Sequence, residues 1–162
     1  MKKFFKNKRG FTLLEVLVAV SVLVIGSVAA FSTISATIRS VTFAKDKLIA
    51  SFLAQEGIEI VKNIRNTNWI QMRNWDEGLL AGGIASRAYQ VDYDDVSLFP
   101  YNPNATLRLG SNGYTYEGAT STKFQRRITI TRISSDELRV TVEVFWPGHS
   151  YQVTSIITNW WQ

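Results

Sequence analysis

Glu15 is a carboxylate in unusual company. It follows Gly10-Phe11-Thr12-Leu13-Leu14 and precedes Val16 to Ile38, a run of 23 residues without a charge. An acid in such surroundings costs up to a few kcal/mol unless it reaches an interface or finds a cation, so its natural chemistry is charge pairing. The other candidate groups are weaker. Asp92, Asp94 and Asp95 put three carboxylates into four residues, suitable in type for calcium, but their spacing lacks a calcium-loop pattern and a solvated strand end is the plainer reading. Lys123-Phe124-Gln125-Arg126-Arg127, with Arg132, is a possible phosphate contact or a solvated basic face. His149 is the only histidine, it falls in a turn, and there is no cysteine. A histidine-assisted nucleophile would need that turn residue as its base, and no Gly-rich phosphate motif follows a strand, so an enzyme is not expected and no cofactor is implied.

The elements that position Glu15 are legible around it. Lys2, Lys3, Lys6, Lys8 and Arg9 form a basic stretch with no acid. Val16 to Ile38, at about 1.5 Å per residue, make a helix of roughly 35 Å, enough for one membrane span. Basic flanks stay on the cytoplasmic side, which predicts an inside N-terminus and an exported body after Arg39. The apolar run is too long for a cleaved secretory signal. The net charge of +5 reflects that basic stretch: from Phe11 onward 13 basic and 13 acidic side chains balance, so nucleic acid is not expected as a partner. Without cysteine, an exported domain has no disulfide staples.

The helix is expected to continue through an amphipathic half, residues 39–65, for about 80 Å in all. Val41, Leu48 and Phe52 with Ile49, Leu53, Ile60 and Ile64 fall near one side. Gly57 permits a close approach to a sheet or is a tolerated weak point, and Gly26-Ser27 allows a kink. Residues 66–162 read as a globular domain. Asn66 to Ser86 reads as a loop with breakers at Asn66-Thr67-Asn68 and Gly82-Gly83, a short helix near Asn74 to Leu80, and enough apolar side chains either to pack on the sheet or to form a contact surface. Strands are expected at Ala88 to Tyr93, at Thr106 to Leu109 with Tyr114 to Glu117 as a hairpin, and at Phe124 to Ile133, Leu138 to Trp146 and Tyr151 to Trp160, where alternation gives one buried face. The fold class is therefore α+β, a long N-terminal helix on a C-terminal antiparallel sheet.

Arg9-Gly10-Phe11-Thr12-Leu13-Leu14-Glu15-Val16 resembles the processing site of type IV prepilins and type II secretion pseudopilins. The resemblance implies a leader of residues 1–10, a prepilin peptidase that cuts between Gly10 and Phe11, and N-methylation of Phe11. It implies a membrane-spanning and filament-core segment over residues 11–38, in which Glu15 would meet the new amine of a neighbouring subunit. Other pilin or pseudopilin subunits and an inner-membrane assembly platform would be the partners, with passage from the cytoplasmic membrane to a pilus or pseudopilus. The C-terminal meander, with its Phe-Trp strand end and Thr158-Asn159-Trp160, is similar to minor pilins of the PilV group and to minor pseudopilin I. The expected role is a minor pilin that initiates or modifies a pilus; the alternatives are a secretion or competence pseudopilin and a signal-anchored binding protein that never polymerises.

Overall fold

The computed structural model describes residues 10–80 and 84–160. One helix, α1 (Leu13–Ile70), dominates the chain. Eight strands follow: β1 (Ser86–Gln90), β2 (Phe99–Pro100), β3 (Arg108–Leu109), β4 (Tyr114–Thr115), β5 (Thr120–Ser121), β6 (Gln125–Arg132), β7 (Glu137–Trp146) and β8 (His149–Thr158). The architecture is the expected α+β arrangement of a long N-terminal helix followed by antiparallel sheets. Contacts divide the chain into two compact units, residues 1–44 and 45–162.

In the first unit every described side chain is exposed. Its polar groups turn back on the helix: Ser21 Oγ donates to the Leu17 carbonyl at 2.8 Å, Ser27 to Leu23 at 2.8 Å, Thr33 to Ala29 at 3.0 Å and Thr37 to Thr33 at 3.0 Å. Such back-bonding hides hydroxyls from an apolar surrounding. The helix runs unbroken through Gly26-Ser27.

The second unit is built on a five-stranded sheet in the order β2-β1-β6-β7-β8, every neighbouring pair antiparallel. Period-two alternation buries Leu138, Val140, Val142, Val144 and Trp146 on β7, as their sequence predicts, and Ile128 and Ile130 on β6. Against this face lies the part of α1 carrying Ala50, Leu53, Ala54, Gly57, Ile58, Val61, Ile64 and Asn68, a stripe at helical spacing. Of the expected stripe, Leu53, Ile60 and Ile64 are buried and Ile49 packs beside the core, whereas Val41, Leu48 and Phe52 are exposed, so the buried face is turned in part from the one expected. The reason is physical: counting large apolar residues favours Leu48 and Phe52, whereas close packing favours Ala50, Ala54 and Gly57, which bring the helix backbone near the strands. A Cβ on Gly57 would lie 2.9 Å from Val142 Cγ1 and 3.4 Å from Ile128 Cδ1. The glycine is a contact requirement.

α1 also runs beyond its expected end, because the supposed breaker Asn68 is buried and its Nδ2 donates to the carbonyls of Trp75 at 3.2 Å and Glu77 at 2.8 Å. The helix closes in a Schellman arrangement. The Arg73 amide donates to the Asn68 carbonyl and the Met72 amide to Trp69, with Met72 at φ 57° where glycine is usual. Residues 71–80 form turns, with no short helix at Asn74 to Leu80. Trp75, Leu79 and Leu80 pack into the core, while Ile70 and Met72 stay exposed. Gly82-Gly83 lies outside the described residues.

The later strands keep their expected order with shifted ends. β3 and β4 form the expected hairpin, and β5, which has no sequence signal of its own, joins them in a second sheet. Two-residue β2 has no strand signal of its own and contains Pro100. Trp146 pairs with His149, so the last turn is Pro147-Gly148 alone, with Gly148 at φ 74°.

Gly57→Ala should lower the thermal unfolding temperature of the detergent-solubilised chain. Overpacking of about 1–3 kcal/mol exceeds the gain of at most about 1 kcal/mol in helix propensity. Adding Val142→Ala should cost less in that background than in wild type, because the two sites share one space. An unchanged or raised unfolding temperature for Gly57→Ala would count against the tight approach.

Candidate processing and assembly segment

Around Gly10 the geometry follows from local capping. Thr12 precedes the helix, its carbonyl accepts from the Val16 amide at 3.2 Å, and its Oγ1 accepts from the Glu15 amide at 3.2 Å. Thr12 is the N-cap and Glu15 the third helical residue, the Thr-x-x-Glu spacing of a capping box. Sequence reasoning built on the glycine and the acid passed over this threonine, although the spacing was there to read. Glu15, in the first turn, also faces the positive end of the helix dipole. The carboxylate is thus favourably placed before any partner arrives. Gly10 and Phe11 lie just outside the helix and are exposed, Phe11 by 80%. Lys2, Lys3, Lys6, Lys8 and Arg9 lie outside the described residues.

From Leu13 to Ile38 the helix presents valine, leucine, isoleucine and phenylalanine on all sides, and by length and composition α1 is suited to cross a membrane. Residues 5–31 match the family model described as the prokaryotic N-terminal methylation motif. That match supports a type IV pilin or pseudopilin. It covers the basic residues from Lys6 onward, Gly10, Phe11, Glu15 and the first part of the apolar helix, which supports processing by a prepilin peptidase, assembly with other pilins and anchoring in a membrane. The motif also suggests a structural, non-enzymatic protein. No curated protein and no solved structure gives a significant match to the chain.

The remaining sequence candidates lie in the second unit. Asp92 accepts from Thr115 Oγ1 at 2.9 Å and from the Tyr116 amide at 2.8 Å, and Asp95 accepts from the Asp92 amide at 2.6 Å. These bonds tie the segment after β1 to β4; Asp94 is exposed. Among the described residues no three His, Asp or Glu side chains gather as a metal site. His149 opens β8, stacked on Trp146 with centroids 5.6 Å apart, and its Nδ1 lies 3.0 Å from the Pro147 carbonyl.

The basic cluster divides: Lys123, Arg127 and Arg132 keep solvent-exposed side chains in ion pairs, and Arg126 alone among them turns inward. Lys123 pairs with Asp46 at 2.6 Å, Arg127 with Glu143 and Arg132 with Asp76. Arg126 is wholly buried, since it occupies the core-facing register of β6 two residues ahead of Ile128. Its guanidinium reaches Glu56 at 2.7 Å and the Leu53 carbonyl at 3.1 Å on α1, and the Val91 carbonyl beyond β1. Its Nε has no acceptor among the described residues. Alternation through Ile128 and Ile130 was the signal that placed this cation inward.

Tyr116 seals this region, donating from its hydroxyl to the Arg126 carbonyl at 3.2 Å. Burial pushes its phenol up to about 12 from 10.0; nearby Arg126 opposes this rise while Asp92 and Tyr101 add to it. The protonated phenol therefore contributes stability that is whole below the unfolded value and is lost as pH rises through the folded value.

Arg126→Ala should destabilise the second unit by about 3–5 kcal/mol, whereas Arg127→Ala, at a part-exposed pair, should cost within about 1 kcal/mol. Denaturant titration compares them, and equal losses would remove the special role of the buried guanidinium. Separately, wild-type stability should fall between pH 10 and 12, and Tyr116→Phe should flatten that fall. An unchanged alkaline slope in the variant would assign the titration elsewhere.

Proposed function

We propose that this chain is a minor type IV pilin that joins or initiates a pilus through α1. The observation that carries the reading is a methylation-motif match that ends inside an exposed apolar helix and includes a glycine two residues ahead of that helix's N-cap. Cleavage after Gly10 would leave Phe11 as a cationic, N-methylated end, with the N-terminus on the cytoplasmic side. That cation would sit at the positive pole of the helix, an unfavourable place, and the Glu15 carboxylate of its own or an adjacent subunit offsets it. Apolar side chains first covered by lipid would then be covered by neighbouring helices. The C-terminal meander resembles minor pilins of the PilV group and minor pseudopilin I alike, which supports a minor subunit of either filament.

Expression with and without the prepilin peptidase tests the first step. Wild type should shift to a smaller species on a gel only when the peptidase is present, and Gly10→Ala should remain full length. Wild type that keeps its leader alongside the peptidase would end the pilin reading in favour of a plain signal anchor. Glu15→Val should still insert and be trimmed, yet be depleted from sheared surface filaments. Normal incorporation of that variant would remove the pairing role.

A further inference from the structure

Where a helix stops decides which backbone carbonyls stay free, and α1 stops just after the Gly10–Phe11 peptide. Its first backbone bond runs from the Val16 amide to the Thr12 carbonyl at 3.2 Å. One residue earlier the pattern changes. The Glu15 amide, which a longer helix would hand to the Phe11 carbonyl, donates instead to Thr12 Oγ1 at 3.2 Å. The side chain thus intercepts the donor on which further growth depends.

With that amide released, the ladder would extend from Glu15 to Phe11 and then from Leu14 to Gly10, placing the Gly10 carbonyl inside a helical bond. That carbonyl belongs to the Gly10–Phe11 peptide. Growth in this direction is favoured where water is scarce, because the amides of a first turn have no other acceptor there. Two residues oppose it: Thr12 takes the Glu15 amide, and glycine is among the poorest residues within a helix. Neither packing nor backbone conformation otherwise asks for glycine at position 10. A Cβ added there would meet nothing within 4 Å, and Gly10 is not one of the glycines at positive φ.

We infer that the Thr12 hydroxyl holds the Gly10–Phe11 bond out of α1 and thereby sets the rate at which the leader is removed. The inference rests on the processing reading above and adds a residue to it. Hydrolysis adds water across that bond: hydroxide goes to the Gly10 acyl carbon, the C–N bond breaks, and a proton goes to the Phe11 nitrogen, which departs as an amine. Attack on the acyl carbon requires a carbonyl oxygen free to be polarised as charge develops on it. An extended segment offers that oxygen, and a helical one ties it to Leu14. Thr12 is a positioning residue, since it touches none of the reacting atoms. The donor it holds is main chain, so the cap does not depend on the Glu15 carboxylate.

The test uses the full-length chain in detergent micelles with purified prepilin peptidase and compares initial rates of leader removal. Serine and asparagine cap helices at least as well as threonine, so Thr12→Ser and Thr12→Asn should stay within about twofold of wild type. Valine keeps the branched shape without the acceptor, and Thr12→Val and Thr12→Ala should be roughly fivefold slower, the change that loss of a typical cap gives. Amide hydrogen exchange adds a readout that needs no peptidase: Leu14 should gain protection in Thr12→Ala but not in Thr12→Asn. Equal rates for trimmed wild type and all variants, asparagine as slow as alanine, or unchanged Leu14 protection in Thr12→Ala would overturn the inference alone. Wild type that the peptidase leaves intact would overturn the processing reading and the inference with it.

Discussion

An apolar helix that its own chain does not cover is the constraint on which the rest of this protein depends. From Leu13 to Ile38 large aliphatic side chains face outward in every direction, and the hydroxyls among them bond back to the helix. At about 25 cal/mol per Å² of apolar surface, leaving such a rod in water is prohibitive, so lipid or other apolar helices must surround it. The motif at residues 5–31 spans the junction between this rod and its basic flank. Thr12 and Glu15 start the helix at that junction, so capping and the proposed subunit pairing draw on one carboxylate.

The second unit solves a different problem, holding one helix against a sheet at close range. Leu53, Glu56 and Gly57, all within five residues of α1, take part in this. Gly57 brings the backbone to within a methyl group's reach of Val142, while the Leu53 carbonyl and Glu56 receive the Arg126 guanidinium from β6. A buried cation is costly unless its donors are met, and its acceptors come from α1 and from the segment after β1. The guanidinium therefore fixes how helix and strands align, which aliphatic packing alone leaves loose. The sequence offers no disulfide, and this polar clamp and the tight glycine contact join the Lys123–Asp46 pair and the Asn68 bonds in holding α1 in place.

Much of this was legible in the sequence, and the misses have common causes. The unbroken apolar run, the alternation on β7 and the Gly110-Ser111-Asn112-Gly113 hairpin are local patterns, and local patterns survive folding. The inward stripe of α1 was read correctly at Leu53, Ile60 and Ile64 and missed at Leu48 and Phe52, because it also depends on small residues, whose value lies in what they let approach. The helix outran Asn66-Thr67-Asn68 because Asn68 found two carbonyls in the following turn, a tertiary effect that overrides propensity. Arg126 was grouped with its basic neighbours by proximity along the chain, although period two had already assigned it to the core face. The capping box at Thr12 was visible and was eclipsed by the glycine and the acid beside it.

The central claim is that the rod begins at a newly made, modified amino end and is covered by sister rods. Its most direct test is mass spectrometry of the N-terminal peptide of the wild-type chain recovered from sheared surface filaments. The account predicts a peptide that starts at Phe11 and carries one methyl group on its amine. A chain absent from filaments and found in the membrane with residues 1–10 still attached would contradict it.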